Sequence, residues 1–183
     1  MDKPRCKWCN TKNPLYVEYH DSEWGAMRFD EDYLYEMLIL ESYQAGLSWE
    51  CVLNKRESFR EAYDNFDISR VMTYDDDKIS ELKSNKAIIR NERKIKASIK
   101  NSIIFHEIAR EFGSFGNYLK TFTKGETIYE IGKITNALSD SISHDLQARG
   151  MKFVGSVIIY SYLQAIGMIY SHDEECFLYK KEK

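Results

Sequence analysis

No proline follows Pro14 in this chain of 183 residues. Proline removes an amide donor and jams the preceding helical turn, so everything beyond Pro14 is free to run as helix. No credible alternating strand competes with that reading, and no internal repeat or low-complexity tract interrupts it. The expectation is an all-α protein. Strand-helix-strand cofactor folds and their glycine fingerprints are excluded with it. A chain of this length, 43% hydrophobic, can bury one sizeable core. We therefore expect one domain over residues 1–183, with two helical lobes around a cleft.

Helix starts are marked by short polar caps. Asp30, with Glu31 and Asp32 at the positive end of the helix dipole, opens a helix through Tyr33 to Tyr43 that stops at Gly46. Ser48 opens another toward Tyr63, and Asp67 and Asp75 cap two shorter ones. A long helix runs from about Arg90 to Phe112, with Ile95, Ile99, Ile103 and Phe105 recurring at helical spacing. Beyond the punctuation of Gly113, Gly116 and Gly125, a helix from Ile142 to Arg149 ends at Gly150. Gly155 then opens the apolar run Val157 to Ile169, which makes a helical hairpin with a very short turn.

The stripe Leu34, Met37, Leu38, Glu41 puts a carboxylate where a helix should bury an apolar side chain. Such a placement is costly unless something pairs with the acid. Trp49 follows just beyond the Gly46 stop, so an acid beside aromatic rings would suit a flat, electron-poor ligand. The alternative is that Glu41 frays into water at a helix end.

A net charge of −3 argues against a protein that coats nucleic acid electrostatically. One local reversal stands out: Lys83, Lys86, Arg90, Arg93, Lys94, Lys96 and Lys100 cluster with little acid between them. That face would hold phosphates or be a solvated helix surface. No basic-plus-apolar leader opens the chain, and no apolar run reaches the roughly 20 residues of a membrane span. We expect a soluble, cytoplasmic protein with no membrane partner and a monomeric state.

Four cysteines in a chain this large do not make a disulfide framework and read better as thiols or metal ligands. Cys6 and His20 near one end, with His172 and Cys176 near the other at a spacing that one helical turn would align, make a Cys2His2 set. Such a set would close a tetrahedral zinc site and staple the termini without activating water. Cys9, two residues from Trp8's other neighbour in Cys6-Lys7-Trp8-Cys9, has zinc-knuckle spacing and is an alternative ligand. His106 and His144 have no such company and read as ordinary surface or capping histidines.

Taken together these residues resemble the bacterial 3-methyladenine DNA glycosylase I family over nearly the whole chain. The resemblance rests on Arg5-Cys6 with Trp8, on Pro14-Leu15-Tyr16 through Tyr19-His20-Asp21 to Glu23-Trp24-Gly25, and on Leu40-Glu41 followed by Gln44 to Trp49. Ile88 to Asn91, Arg149-Gly150, Lys152 to Gly155, and His172 with Cys176 continue the pattern in order and spacing. It implies an all-α helix-hairpin-helix enzyme that removes 3-methyladenine from double-stranded DNA, hydrolysing the N-glycosidic bond with no lyase step. It also implies a structural zinc on Cys6, His20, His172 and Cys176, favouring Cys6 over Cys9.

By the same carry-over, Trp8, Tyr16, Tyr19, Glu41 and Trp49 line the base pocket, with Glu41 also the catalytic candidate. Gly46 and Leu47 form a wedge entering the stack vacated by the flipped nucleotide. The turn of Gly150, Lys152, Phe153 and Gly155 holds a DNA phosphate. The resemblance implies that the aspartate usual after such a hairpin is not used in its ordinary role, and Asp173 reads as a surface acid beside the metal ligands. Tyr43, the short segment Lys120 to Lys133 and the extra Cys9 depart from the family pattern. Two other readings are a nonenzymatic hairpin protein that only binds DNA, and a zinc-stapled interaction module whose tryptophans are merely core.

Overall fold

The computed structural model describes residues 3–181. Side-chain caps decide where most helices begin. Asn13 caps α1 (Pro14–Ser22), Asp30 caps α2 (Glu31–Gln44), and Ser48 caps α3 (Trp49–Leu53). After α4 (Arg56–Ala62) and a short 3-10 turn at Asp64–Phe66, Asp67 caps α5 (Ile68–Val71) and Asp75 caps α6 (Asp76–Ser84). Asn91, Ser114 and Asn136 do the same for α7 (Glu92–Phe112), α8 (Phe115–Thr123) and α9 (Ala137–Ala148). Each satisfies an orphan N–H in the first turn and contributes about 1 kcal/mol. Only α4 and α10 (Ser156–Ala165) start without a side-chain cap.

α2 is the centre of the molecule. It is buried from Tyr33 to Tyr43 on nearly every side except at Glu36, and packs against α3, α7, α8 and α10. A helix apolar all round has to lie inside a protein. α9 and α10 pack closely on each other as the two arms of the hairpin, and α10 in turn rests on α2.

Several expectations are corrected. The stretch from Ser48 to Tyr63 is two helices, because the chain turns at Asn54-Lys55, where the Asn54 side chain bonds Asn13 and the Lys55 ammonium reaches the Ala87 carbonyl at 2.9 Å. The buried face of α7 runs through Ile95, Ser98, Ser102, Phe105 and Ile108, whereas Ile103 is exposed. Two very short strands also form: β1 (Ile128–Tyr129) pairs in parallel with β2 (Ile169–Tyr170), so the apolar run after Gly155 leaves its helix at Ala165. Gly167 makes that exit: at φ +80° it passes so close to the Ala26–Met27 backbone that a Cβ would collide with it.

The basic run does not form one free face. Lys83 and Lys96 both grip Glu92, and Lys94 is buried. Among the described residues no helix is long and apolar enough to cross a membrane.

Candidate functional site

A cavity of about 360 Å³ opens between the N-terminal segment, α2 and α10. α1 contributes Tyr16 and Tyr19, α2 contributes Glu41 and Gln44, and α3 contributes Trp49 from its first turn. Trp8 and Trp24 close one side, while Gly132, Lys133, Ser161, Gln164, Ser171 and Asp173 form the other. The five pocket residues expected from sequence are thus together. Trp24, Gln44, Ser161 and Gln164 were not anticipated there. Gln44 follows Glu41 by three on one helix, a spacing that could have flagged it. Asp173, expected on the surface, lines the cavity, and its carboxylate accepts the Lys7 backbone N–H at 2.8 Å.

The rings form a connected wall. Tyr19 and Trp49 lie with centroids 5.2 Å apart, Trp8 and Tyr16 at 5.3 Å, and Trp8 meets Trp24 edge-on at 4.7 Å. Into this wall α2 places Glu41, only 2% exposed. Glu41 does not fray: it lies three residues before the last helical residue, Gln44, with Ser42 and Tyr43 buried beside it. Burial alone pushes its carboxyl well above the usual carboxylate range. Three polar atoms of the wall, Glu41 Oε2, Gln44 Oε1 and Trp49 Nε1, are buried without a hydrogen-bond partner. Native interiors rarely leave such groups unmet, so three around one cavity mark a place where a ligand completes the bonding.

The segment after Glu41 turns outward. Gly46 takes φ +77° with open space around it, and Leu47 is 41% exposed at the tip. The α9–α10 turn is held from α7, where the Asn101 side chain accepts the Lys152 N–H at 2.9 Å and donates to the Lys152 carbonyl at 2.8 Å. Phe153 in this turn adopts φ +57°, and the turn delivers the chain to the uncapped start of α10 at Gly155. A helix start without a side-chain cap leaves N–H groups and a positive dipole end available to an anion.

Cys6, His20, His172 and Cys176 meet behind Trp24 and Trp8, all buried, their ligand atoms within 4.8 Å of one another. His172 Nδ1 lies 3.4 Å from the Cys6 sulfur and 3.5 Å from that of Cys176, and His20 Nε2 lies 3.5 Å from the Cys176 sulfur. A tetrahedron with metal–sulfur bonds of about 2.3 Å and metal–nitrogen bonds of about 2.05 Å has sulfur–nitrogen edges of about 3.6 Å. The cluster could therefore hold a metal ion. Burial pushes the His172 imidazole down to about 4, keeping it neutral for ligation, and pushes the Cys6 thiol up to about 12, so thiolate formation there requires a positive partner.

The outer contacts fit the same role. His20 Nδ1 pairs with Asp21 at 2.8 Å, Asp21 is gripped by Arg5 at 2.8 and 2.7 Å, and backbone N–H groups of Asp173 and Leu178 point to the two sulfurs. Cys9 stands outside the cluster with its sulfur toward the Tyr16 carbonyl. His172 and Cys176 converge through a turn closed by Cys176 N–H to the Asp173 carbonyl at 2.8 Å, where a helical turn was expected.

Comparison with known proteins places the chain and its fold in a family. Residues 8–179 match the family described as methyladenine glycosylase. The chain is 38% identical to DNA-3-methyladenine glycosylase 1 of Escherichia coli K12, covering 98% of each chain, and 32% identical to DNA-3-methyladenine glycosylase of Haemophilus influenzae, covering 94% of this chain and 96% of that one. A solved structure describing 3-methyladenine recognition by 3-methyladenine DNA glycosylase I from Staphylococcus aureus superposes with a TM-score of 0.91 at 29% identity, covering 98% of this chain and 100% of that one. A crystal structure of 3-methyladenine DNA glycosylase I gives a TM-score of 0.92 at 36% identity, covering 97% and 100%. With the aromatic cavity, the turn between α9 and α10 and the match over both ends of the chain in agreement, this protein belongs to the methyladenine glycosylase family.

Proposed function

We propose that this chain releases 3-methyladenine from alkylated double-stranded DNA by hydrolysing the N-glycosidic bond, acting as a monomeric, single-domain glycosylase without a lyase step. The observation that carries the site assignment is Glu41: a buried carboxyl with an unpartnered oxygen, walled by aromatic rings and, among the described residues, without a cation paired to it. Methylation at N3 makes the adenine of DNA a cation. Such a base gains about 0.5–2 kcal/mol over an aromatic face, and Trp49, Tyr16, Tyr19 and Trp8 are the faces offered. Ordinary adenine lacks that charge.

Entry of the cation favours the ionised form of Glu41, which then accepts charge-assisted hydrogen bonds from the base edge in a dry pocket. Gln44 Oε1 is a second acceptor within the same wall. Leu47, on the exposed Gly46 turn, fills the gap left by the extruded nucleotide, and the N–H groups of the Gly150–Gly155 turn hold a phosphate. In the chemical step a water oxygen bonds to C1′ as the C1′–N9 bond breaks. The bonding pair passes to the purine and cancels its charge, and the proton shed by the attacking water passes to solvent water. The modified base is already a good leaving group, so binding the extruded cation supplies much of the rate. Glu41, whose buried carboxyl stands in the aromatic wall, is the catalytic group of this reading.

The Cys2His2 cluster suits zinc, whose tetrahedral preference two thiolates and two imidazoles complete. Its role is structural: it fixes Cys6 and His172 behind Trp8 and Trp24, and so the rim of the cavity. The test is release of free 3-methyladenine from methylated duplex DNA, with metal analysis of the same sample. A protein that binds methylated DNA without releasing base would overturn the reading.

A further inference from the structure

Lys94 is a buried lysine with no acidic partner among the described residues. The residue is 7% exposed, and its ammonium donates to the Tyr43 carbonyl at 2.8 Å and to the Ala45 carbonyl at 2.6 Å. These carbonyls lie at the end of α2, where a helix leaves acceptors unmet and where a cation complements the dipole. Ala45 is also the residue before Gly46, so Lys94 holds the base of the exposed Leu47 turn. The ammonium lies 5.9 Å from the centre of the Phe153 ring in the α9–α10 turn.

Asn101 stands seven residues further along α7, on the same face, and clamps Lys152 of that turn through both its N–H and its carbonyl. At 1.5 Å per residue the two anchors are separated by about 10 Å along the helix, close to three base steps of a DNA strand at 3.4 Å each. One rigid helix thus carries the mounts of two separate loops.

We propose that Lys94 and Asn101 are positioning residues for base extrusion: α7 sets the distance between the Leu47 turn and the phosphate-holding turn, and Lys94 stiffens the first so that Leu47 can displace a base. This inference rests on the wedge and hairpin roles given above. It separates two activities of the enzyme. Binding of free base depends on the pocket wall, which neither residue lines, whereas extrusion from a duplex depends on the mounts.

The test uses the full chain and methylated duplex DNA. Lys94→Met should slow single-turnover excision about 10- to 100-fold, the scale of a misplacement near 1 Å, while the Kd for free 3-methyladenine stays within about twofold. 2-Aminopurine fluorescence should report less extruded base. Adding Lys94→Met to Leu47→Ala should cause no further loss, because both remove the same step. Should Lys94→Met fold poorly, Lys94→Gln keeps an uncharged NH2 donor group for the carbonyls without the positive charge and should show an intermediate loss with the same split. Parallel loss of free-base binding and excision, unchanged excision, or additive effects with Leu47→Ala would each overturn the proposal. Full activity of Leu47→Ala alone would instead overturn the wedge role on which it rests.

Discussion

Replacing Glu41 by glutamine keeps the side-chain shape and removes the charge, so it isolates what the buried acid contributes. In the free protein the carboxyl has lost its solvation and gained no cation, and its upward shift has no other cause. A folded-state acid held above its unfolded value binds more protons folded than unfolded, so stability is highest below the unfolded value and falls as pH rises through the folded one. Glutamine removes that pH-dependent loss. Glu41→Gln should therefore be at least as stable as the parent at pH 7, and the difference between them should shrink on going to pH 4.

Activity should move the opposite way. A hydrogen bond to a charged group contributes about 1.5–3 kcal/mol, which at about 1.4 kcal/mol per decade corresponds to a loss of about 10- to 150-fold in kcat/KM for excision. Affinity for undamaged DNA, which does not use the pocket, should change less than about twofold. Melting scans at both pH values, single-turnover base release and a binding titration with undamaged DNA measure the three quantities. If kcat/KM were unchanged, or if its loss came with a lower Tm at pH 7, Glu41 would be a structural residue and the site assignment would fail.

Leu47→Ala should lower excision from duplex DNA while leaving free-base affinity intact, read by base release and by quenching of tryptophan fluorescence; equal losses in both would count against the wedge. Cys176→Ser should abolish stoichiometric metal and lower Tm by about 10–20 °C, taking about 5 kcal/mol for the lost cross-link and 2–4 °C per kcal/mol at this size. An unchanged melting point in metal-loaded and chelated samples would contradict it. Arg56 is buried between Glu23 and Glu36 at 2.9 and 2.7 Å, tying the end of α1 to α2 and α4. Arg56→Ala leaves Glu23 without its partner and Glu36 with Arg60 alone, and should cost about 3–5 kcal/mol in denaturant unfolding; a loss below 1 kcal/mol would mean that water replaces the guanidinium.

What could be read from the residues alone was the part governed by local rules. Asp30, Ser48, Asp67 and Asp75 cap helices where expected, because a cap acts within three residues of itself. Glu41 stood out by violating a local pattern, and that violation led to the cavity. What stayed hidden was set by distant contacts. The break at Asn54-Lys55 depends on Asn13 and Ala87, and the β1–β2 pair spans only two residues on each side and draws its partner from 41 positions away. His172 and Cys176 have the right spacing but reach the cluster through a turn. Ser161 and Gln164 look like ordinary helix positions until α10 is packed against the cavity.

The meeting of Cys6 with His172 across 166 positions has a topological consequence. Were the four ligands joined by one ion, residues 6–176 would form a closed loop, and the Phe177 N–H to Pro4 carbonyl bond at 2.8 Å already zips together the segments flanking it. A circle has no privileged start. A covalent bridge between the segments flanking Cys6 and Cys176, with the chain opened at an exposed bend such as Gly125, would preserve the connectivity that an ion on the four ligands would provide, and so would detach any demand for metal from the demand for a shaped cavity.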